Sequence, residues 1–113
     1  MFALNRLFAA SFIAIYIIFC IHGYAEERFT SKEFLEWEEV SRRSYIQTSM
    51  MMANMIANEN DHKQSTCISD WYAEDRRGRE QYIYDVMGKA LEYHPMGVIV
   101  AVLEKKCGPF KYR

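Results

Sequence analysis

The apolar run Val98-Ile99-Val100-Ala101-Val102-Leu103 reads by composition as a buried strand and by its surroundings as a buried helix, and the fold class turns on the choice. The surroundings favour the helix. Glu104-Lys105-Lys106 continues the segment and places cations where a helix C-terminus attracts them, and Gly108-Pro109 follows in the usual terminating order. A single strand would also have no obvious pairing partner in this chain. On the other side, His94 precedes a proline and so avoids the helical region, which ends any upstream helix there. Pro95 can then serve as the first residue of the next helix.

Working backwards, the clearest periodicity lies between Arg79 and Tyr93. Tyr82, Ile83, Val86, Met87, Ala90 and Leu91 share one side, with Gln81, Asp85, Gly88, Lys89 and Glu92 on the other. Asp85 and Lys89 stand four apart with the acid first, the favourable order on a helix. From Thr30 to about Glu59 a second helical region opens with a capping box, Thr30 followed three residues later by Glu33. Phe34, Trp37, Tyr45, Met52, Met55 and Ile56 fall on one arc, which Glu38 and Arg42 would invade if the helix ran straight; a break near Ser41–Ser44 resolves the conflict. Asn58 to Asp70 is polar and without usable period, and is expected to be a loop whose far end Cys67 anchors. Asp70 is expected to cap a short turn through Trp71, Tyr72 and Ala73, with Gly78 punctuating the charged stretch from Glu74 to Glu80. The expectation is all-α: a small bundle of four to five helices without internal repeats.

The N-terminus has a different character. Its first 25 residues hold no acid and a single base, Arg6, followed by 15 largely apolar residues from Leu7 to Ile21. That length suits a signal-peptide core and falls short of the roughly 20 residues that span a bilayer. Gly23 and Ala25 supply the small-x-small pattern of a cleavage site, so residues 1–25 read as a signal peptide cut before Glu26 and residues 26–113 as the helical domain. An uncleaved anchor is the alternative; lipidation of Cys20 is disfavoured by the bulky Phe19 before it. Removing 25 of 113 residues leaves 88, with 13 basic and 15 acidic groups for a net charge of −2, and two cysteines, Cys67 and Cys107. In an exported chain this small those two read as one disulfide. A free redox pair is the competing reading, without the C-x-x-C spacing that depresses a thiol pKa. Localisation is expected to be periplasmic or secreted, with no membrane association after cleavage.

The near-neutral balance leaves no electrostatic footprint for nucleic acid. Met50, Met51, Met52 and Met55 with His62 invite a copper(I) reading, yet methionines at helical spacing are more often core or adaptable contact surface. His62 and His94 stand in no ligand spacing, and the acid pairs Glu26-Glu27 and Glu38-Glu39 diverge on a helix and cannot converge as catalytic pairs do. No nucleophile elbow or phosphate-cradling loop is present. The expectation is therefore no catalytic residue, no metal and no cofactor. Arg76, Arg77 and Arg79 form a compact basic group, largely cancelled by Glu74, Asp75 and Glu80. What remains is surface for binding protein, since Trp71, Tyr72, Tyr82, Tyr84, Tyr93, Phe110 and Tyr112 are many large aromatics for a domain of this size.

Thr30-Ser31-Lys32-Glu33-Phe34-Leu35-Glu36-Trp37, then Tyr45-Ile46, Cys67 after a polar stretch, Glu92-Tyr93-His94-Pro95, and Leu103-Glu104 shortly before Cys107 together resemble the small periplasmic immunity proteins of the type VI secretion amidase-immunity (Tai-like) group. The stretch between His94-Pro95 and Cys107 is shorter than in that group, and the additional early cysteine often found there is lacking. The resemblance implies an exported all-helical domain that binds and blocks a secreted cell-wall amidase effector, with the Cys67–Cys107 pair as a disulfide. The expected contact element is the loop Asn58–Thr66, with Asn60, Asp61, His62 and Lys63 at its tip and Trp71 and Tyr72 at its base; a homodimer is compatible with this reading. The alternative is a periplasmic acid-stress chaperone that uncovers apolar surface for unfolded clients when its carboxylates and histidines protonate.

Overall fold

The computed structural model describes residues 28–111, so the leader, its cleavage point and Cys20 lie outside the described residues. Within them the chain forms five helices and no strand: α1 Ser31–Leu35, α2 Glu39–Asn60, α3 His62–Glu74, α4 Arg76–Gly88 and α5 Pro95–Cys107. The helical reading of Val98–Leu103 holds: Val98, Ile99, Val102 and Leu103 are buried on one side of α5. His94 caps that helix, its Nδ1 accepting from the Met96 amide at 3.0 Å, and Pro95 is its first residue. Gly108 ends it at φ 87°, a conformation that glycine adopts without penalty.

Two breaks fall elsewhere than the sequence suggests. The first lies at Glu36–Glu38, not Ser41–Ser44, and the Glu36 and Trp37 amides fold back onto Glu33 and Phe34 carbonyls. Arg42 needs no break, because its guanidinium lies 4.8 Å over the Tyr84 ring and can occupy a half-buried position in α2. The second concerns Asn58–Asp70, which is helical apart from Asp61. Asp61 is extended at φ −155°, its amide closes α2 on the Ala57 carbonyl, and its carboxylate accepts from the Lys63 and Gln64 amides to open α3. Lys111 pairs with the same carboxylate at 3.0 Å, and these bonds hold the Asp61 carboxyl below its ordinary range. The inner face of α3 is Gln64, Ser65 and Ile68. Two polar residues at buried positions conceal its period from a hydrophobicity reading. Gln64 donates to the Gly108 carbonyl at 2.8 Å and Ser65 to Asn54 Oδ1 at 2.5 Å.

Asp70 accordingly lies within α3, and the cap further along is Asp75, whose Oδ1 accepts from the Gly78 amide at 3.0 Å. Gly78 sits inside the first turn of α4, where a Cβ would collide with that carboxylate. The helix expected from Arg79 to Tyr93 runs instead from Arg76 to Gly88. Beyond Gly88 the chain turns, and the carbonyls of Leu91 and Tyr93 accept from the amides of Lys32 and Ser31 at 3.1 and 2.8 Å, which stitches α1 in place. Lys89 therefore leaves the helix, and Asp85 accepts from Gln81 Nε2 at 2.9 Å.

The core comprises Phe34 from α1, Ile46, Met50, Ala53 and Ala57 from α2, Ile68 from α3, Ile83 and Met87 from α4, and the four α5 residues. Each fully buried large side chain contributes about 1.5–3 kcal/mol. The most extensive pairing is α2 against α3; α5 packs on α3 and α4, and α1 on α4. The disulfide joins Cys67 in α3 to Cys107, the last residue of α5, with Cα atoms 5.7 Å apart. The expected arc through Met52, Met55 and Ile56 is not the inner face of α2: these residues are exposed, and the small residues Ser49, Ala53 and Ala57 with Ile46 and Met50 face the bundle. Small side chains there let the α2 and α3 backbones approach closely.

Candidate functional site

The residues expected to meet a partner are not brought together. Asn60–Lys63 forms a tight helix corner rather than a protruding loop, and several of its polar groups are committed locally: Asn60 donates to the Ile56 carbonyl, His62 Nδ1 lies 2.8 Å from Asn58 Oδ1, and Asp61 caps α3. Trp71 and Tyr72 lie ten residues further along α3, roughly 15 Å from the corner at helical rise. Trp71 meets Tyr82 edge-on and Arg79 stacks on it at 5.1 Å, while donating from Nε to its carbonyl.

Tyr72 has a different role. With Gln47, Met50, Met51 and Asn54 from α2 and Ile68, Ser69, Ala73 and Arg76 from the α3–α4 side, it lines an open groove of about 320 Å³. The buried Met50 and Ile68 form its apolar floor; Gln47, Asn54 and Ser69 supply amide and hydroxyl groups along it, and Arg76 is its one charged residue. The wall is rigid. Tyr72 Oη donates to Glu80 Oε1 at 2.8 Å, and Glu80, only 2% exposed, accepts from Arg43 Nε at 3.2 Å on its other oxygen. Burial, then the bond to Glu80 and its charge, push the Tyr72 phenol well above its ordinary pKa. Arg76 stacks 5.7 Å over the outer face of the same ring. Burial, and after it the Glu80 charge, likewise raise Tyr84 against the opposing charges of Arg42 and Arg43. An apolar side chain inserted over Met50 and Ile68, with an acidic group following it at Arg76, matches this groove in shape and charge.

Of the groove residues, the sequence points to Met50 and Met51 as core or contact surface, to Arg76 as part of a basic group and to Tyr72 as an aromatic, but not to their convergence, although a further signal is present. No residue from Ser44 to Asn58 carries a charge, which is unusual for a helix with one face in water. Among the described residues no group of three or more His, Cys, Asp and Glu could hold a metal ion, and no helix is long and apolar enough to cross a membrane. Comparison with protein-family models, with curated proteins and with solved structures finds no match.

Proposed function

We propose that this chain is an exported helical domain that acts by binding another protein, and that the α2–α3 groove receives the partner. The observation that carries the reading is the groove itself: an apolar floor, a ring of hydrogen-bonding side chains, a single cation at one end, and a Tyr72 wall fixed by a buried carboxylate. A pre-organised surface of this kind binds without the entropic cost of ordering its contacts. The disulfide is in keeping with an oxidising compartment, periplasmic or extracellular, and with removal of residues 1–25 on export. The resemblance to amidase-immunity proteins names the partner class: a secreted cell-wall amidase, which this protein would neutralise by occupying it. In this reading Tyr72 and Arg76 are principal contacts, and the Asn60–Lys63 corner holds the hairpin that presents them.

The test is inhibition of peptidoglycan hydrolysis by an amidase encoded beside this gene, with affinity measured by biolayer interferometry. Ala73→Arg, which fills the groove mouth, and Arg76→Glu, which reverses its charge, lie at exposed positions and should each weaken binding at least tenfold. Unchanged affinity in both would overturn the groove as the contact site. The acid-chaperone reading predicts instead suppression of aggregation of unrelated clients near pH 2–3.

A further inference from the structure

The other flank of α2 is also uncovered. Met52, Met55 and Ile56 are 57%, 67% and 47% exposed, and Val40 is 79% exposed. Ser41, Ser44 and Thr48 lie between them on the same side, and Met51 at the edge of this flank separates it from the partner groove. This flank has two unlike halves. Its N-terminal half is a shallow groove of about 480 Å³ between Trp37 and Tyr45, floored by the small residues Ser41, Ser44 and Thr48. Its C-terminal half is a ridge of Met52, Met55 and Ile56.

We propose that this flank is a homodimer interface in which two α2 helices pack antiparallel across a two-fold axis, the ridge of each copy seated in the groove of the other. An isologous interface needs one patch that complements itself, so that residue i meets j and j meets i. Antiparallel pairing about a point near Met50 does this, setting Ser41 against Glu59 of the second copy and Thr48 against its Met52. Parallel pairing would stack methionine on methionine and leave the serine half empty. The ridge carries one charge, Glu59, one turn beyond Met55 on the same side, and antiparallel pairing sets it against Ser41 of the second copy where parallel pairing would set it against a second Glu59. The area fits too: Trp37, Val40, Met52, Met55 and Ile56 are 40–79% exposed and form a continuous apolar strip along the flank to set toward the ~800 Å² per partner of a stable specific interface. Methionine thioethers against Trp37 and Tyr45 add sulfur–aromatic contacts.

Light scattering after size exclusion, on the protein expressed from its full reading frame, should give twice the chain mass at micromolar concentration. Met52→Glu, an exposed position, should give a monomer with unchanged helical circular dichroism. Orientation is read separately. The variant carrying Ser41→Cys and Glu59→Cys should cross-link into a covalent dimer on mild oxidation, whereas Ser41→Cys alone should not, because in the antiparallel arrangement two copies of residue 41 lie about 27 Å apart along the helix. A wild-type monomer up to about 100 µM, a dimer that survives Met52→Glu, or efficient cross-linking by Ser41→Cys alone would overturn the proposal. Met52→Glu should leave amidase affinity intact while Ala73→Arg leaves the dimer intact, so the two surfaces fail independently.

Discussion

Glu80 is the one buried carboxylate among the described residues, and it sits where α2, α3 and α4 meet. It accepts from Arg43 and Tyr72, so each oxygen has a charged or phenolic donor in place of water. Glu80→Ala would leave the Tyr72 hydroxyl without an acceptor and Arg43 without its counter-charge. Because Arg43 is a third exposed and can turn to solvent, the cost belongs at the low end for a broken buried pair, about 3 kcal/mol in denaturant unfolding. Glu80→Gln keeps an acceptor and should cost less than half as much; equal costs would show that the charge matters at this junction and the shape does not. The tyrosines give a pH dependence with a definite sign. Tyr45, Tyr72 and Tyr84 all have pKa values raised in the folded state, chiefly by burial. Their contribution is complete below the unfolded tyrosine pKa of about 10 and is lost as pH rises above it, because the unfolded chain then releases protons that the folded chain retains. Stability should therefore decline from pH 10 upward. Tyr72→Phe should make that decline shallower, and an unchanged slope would exclude Tyr72 as a source.

At the scale of elements, the disulfide and α5 carry the clearest expectation. The bond closes a loop of 40 residues, for which chain entropy assigns roughly 4 kcal/mol of stabilisation. Against the 5–15 kcal/mol typical of whole domains, that is a large share. Replacing both cysteines by serine should lower the unfolding free energy by about that amount with a steeper denaturant slope, because the unfolded chain without the cross-link exposes more surface; a loss under 1 kcal/mol would mean that α3 and α5 are held by packing and by Gln64 on Gly108 alone. The legibility of each helix in the sequence follows from what fills its inner face. α5 was readable because Val98, Ile99, Val102 and Leu103 are apolar and its ends carry proline and glycine. α3 was not, because Gln64 and Ser65 are buried through hydrogen bonds to residues 44 and 11 positions away, partners that no local pattern reveals. The ends of α4 were misplaced for a similar reason: Leu91 and Tyr93 give their carbonyls to α1, sixty residues earlier in the chain. The groove inherited these errors. Its α3 wall lies partly in the segment that reads as loop, so Met50, Met51, Tyr72 and Arg76 are each legible as residues but not as one surface.

At the scale of the molecule, the methionines divide α2 into three environments that one experiment can read. Met50 is 3% exposed in the core, as is the fully buried Met87 of α4; Met51, 67% exposed, borders the partner groove; Met52 and Met55 stand on the flank beside it. Conversion of a thioether to its sulfoxide requires access and makes an apolar side chain polar. In brief exposure to dilute peroxide, followed by peptide mass spectrometry, Met50 and Met87 should be the slowest to react. In dilute monomer, Met51, Met52 and Met55 should react at similar, faster rates. Raising the protein concentration should protect Met52 and Met55 more than Met51, which stands at the edge of the two-fold interface. Adding a bound partner should protect Met51 instead. Concentration-dependent protection of Met51, with Met52 and Met55 unaffected, would exchange the roles of the two flanks. The four residues lie within six positions of one helix, so a difference in their rates reports which side of α2 is covered, separately from the exposure of the helix as a whole.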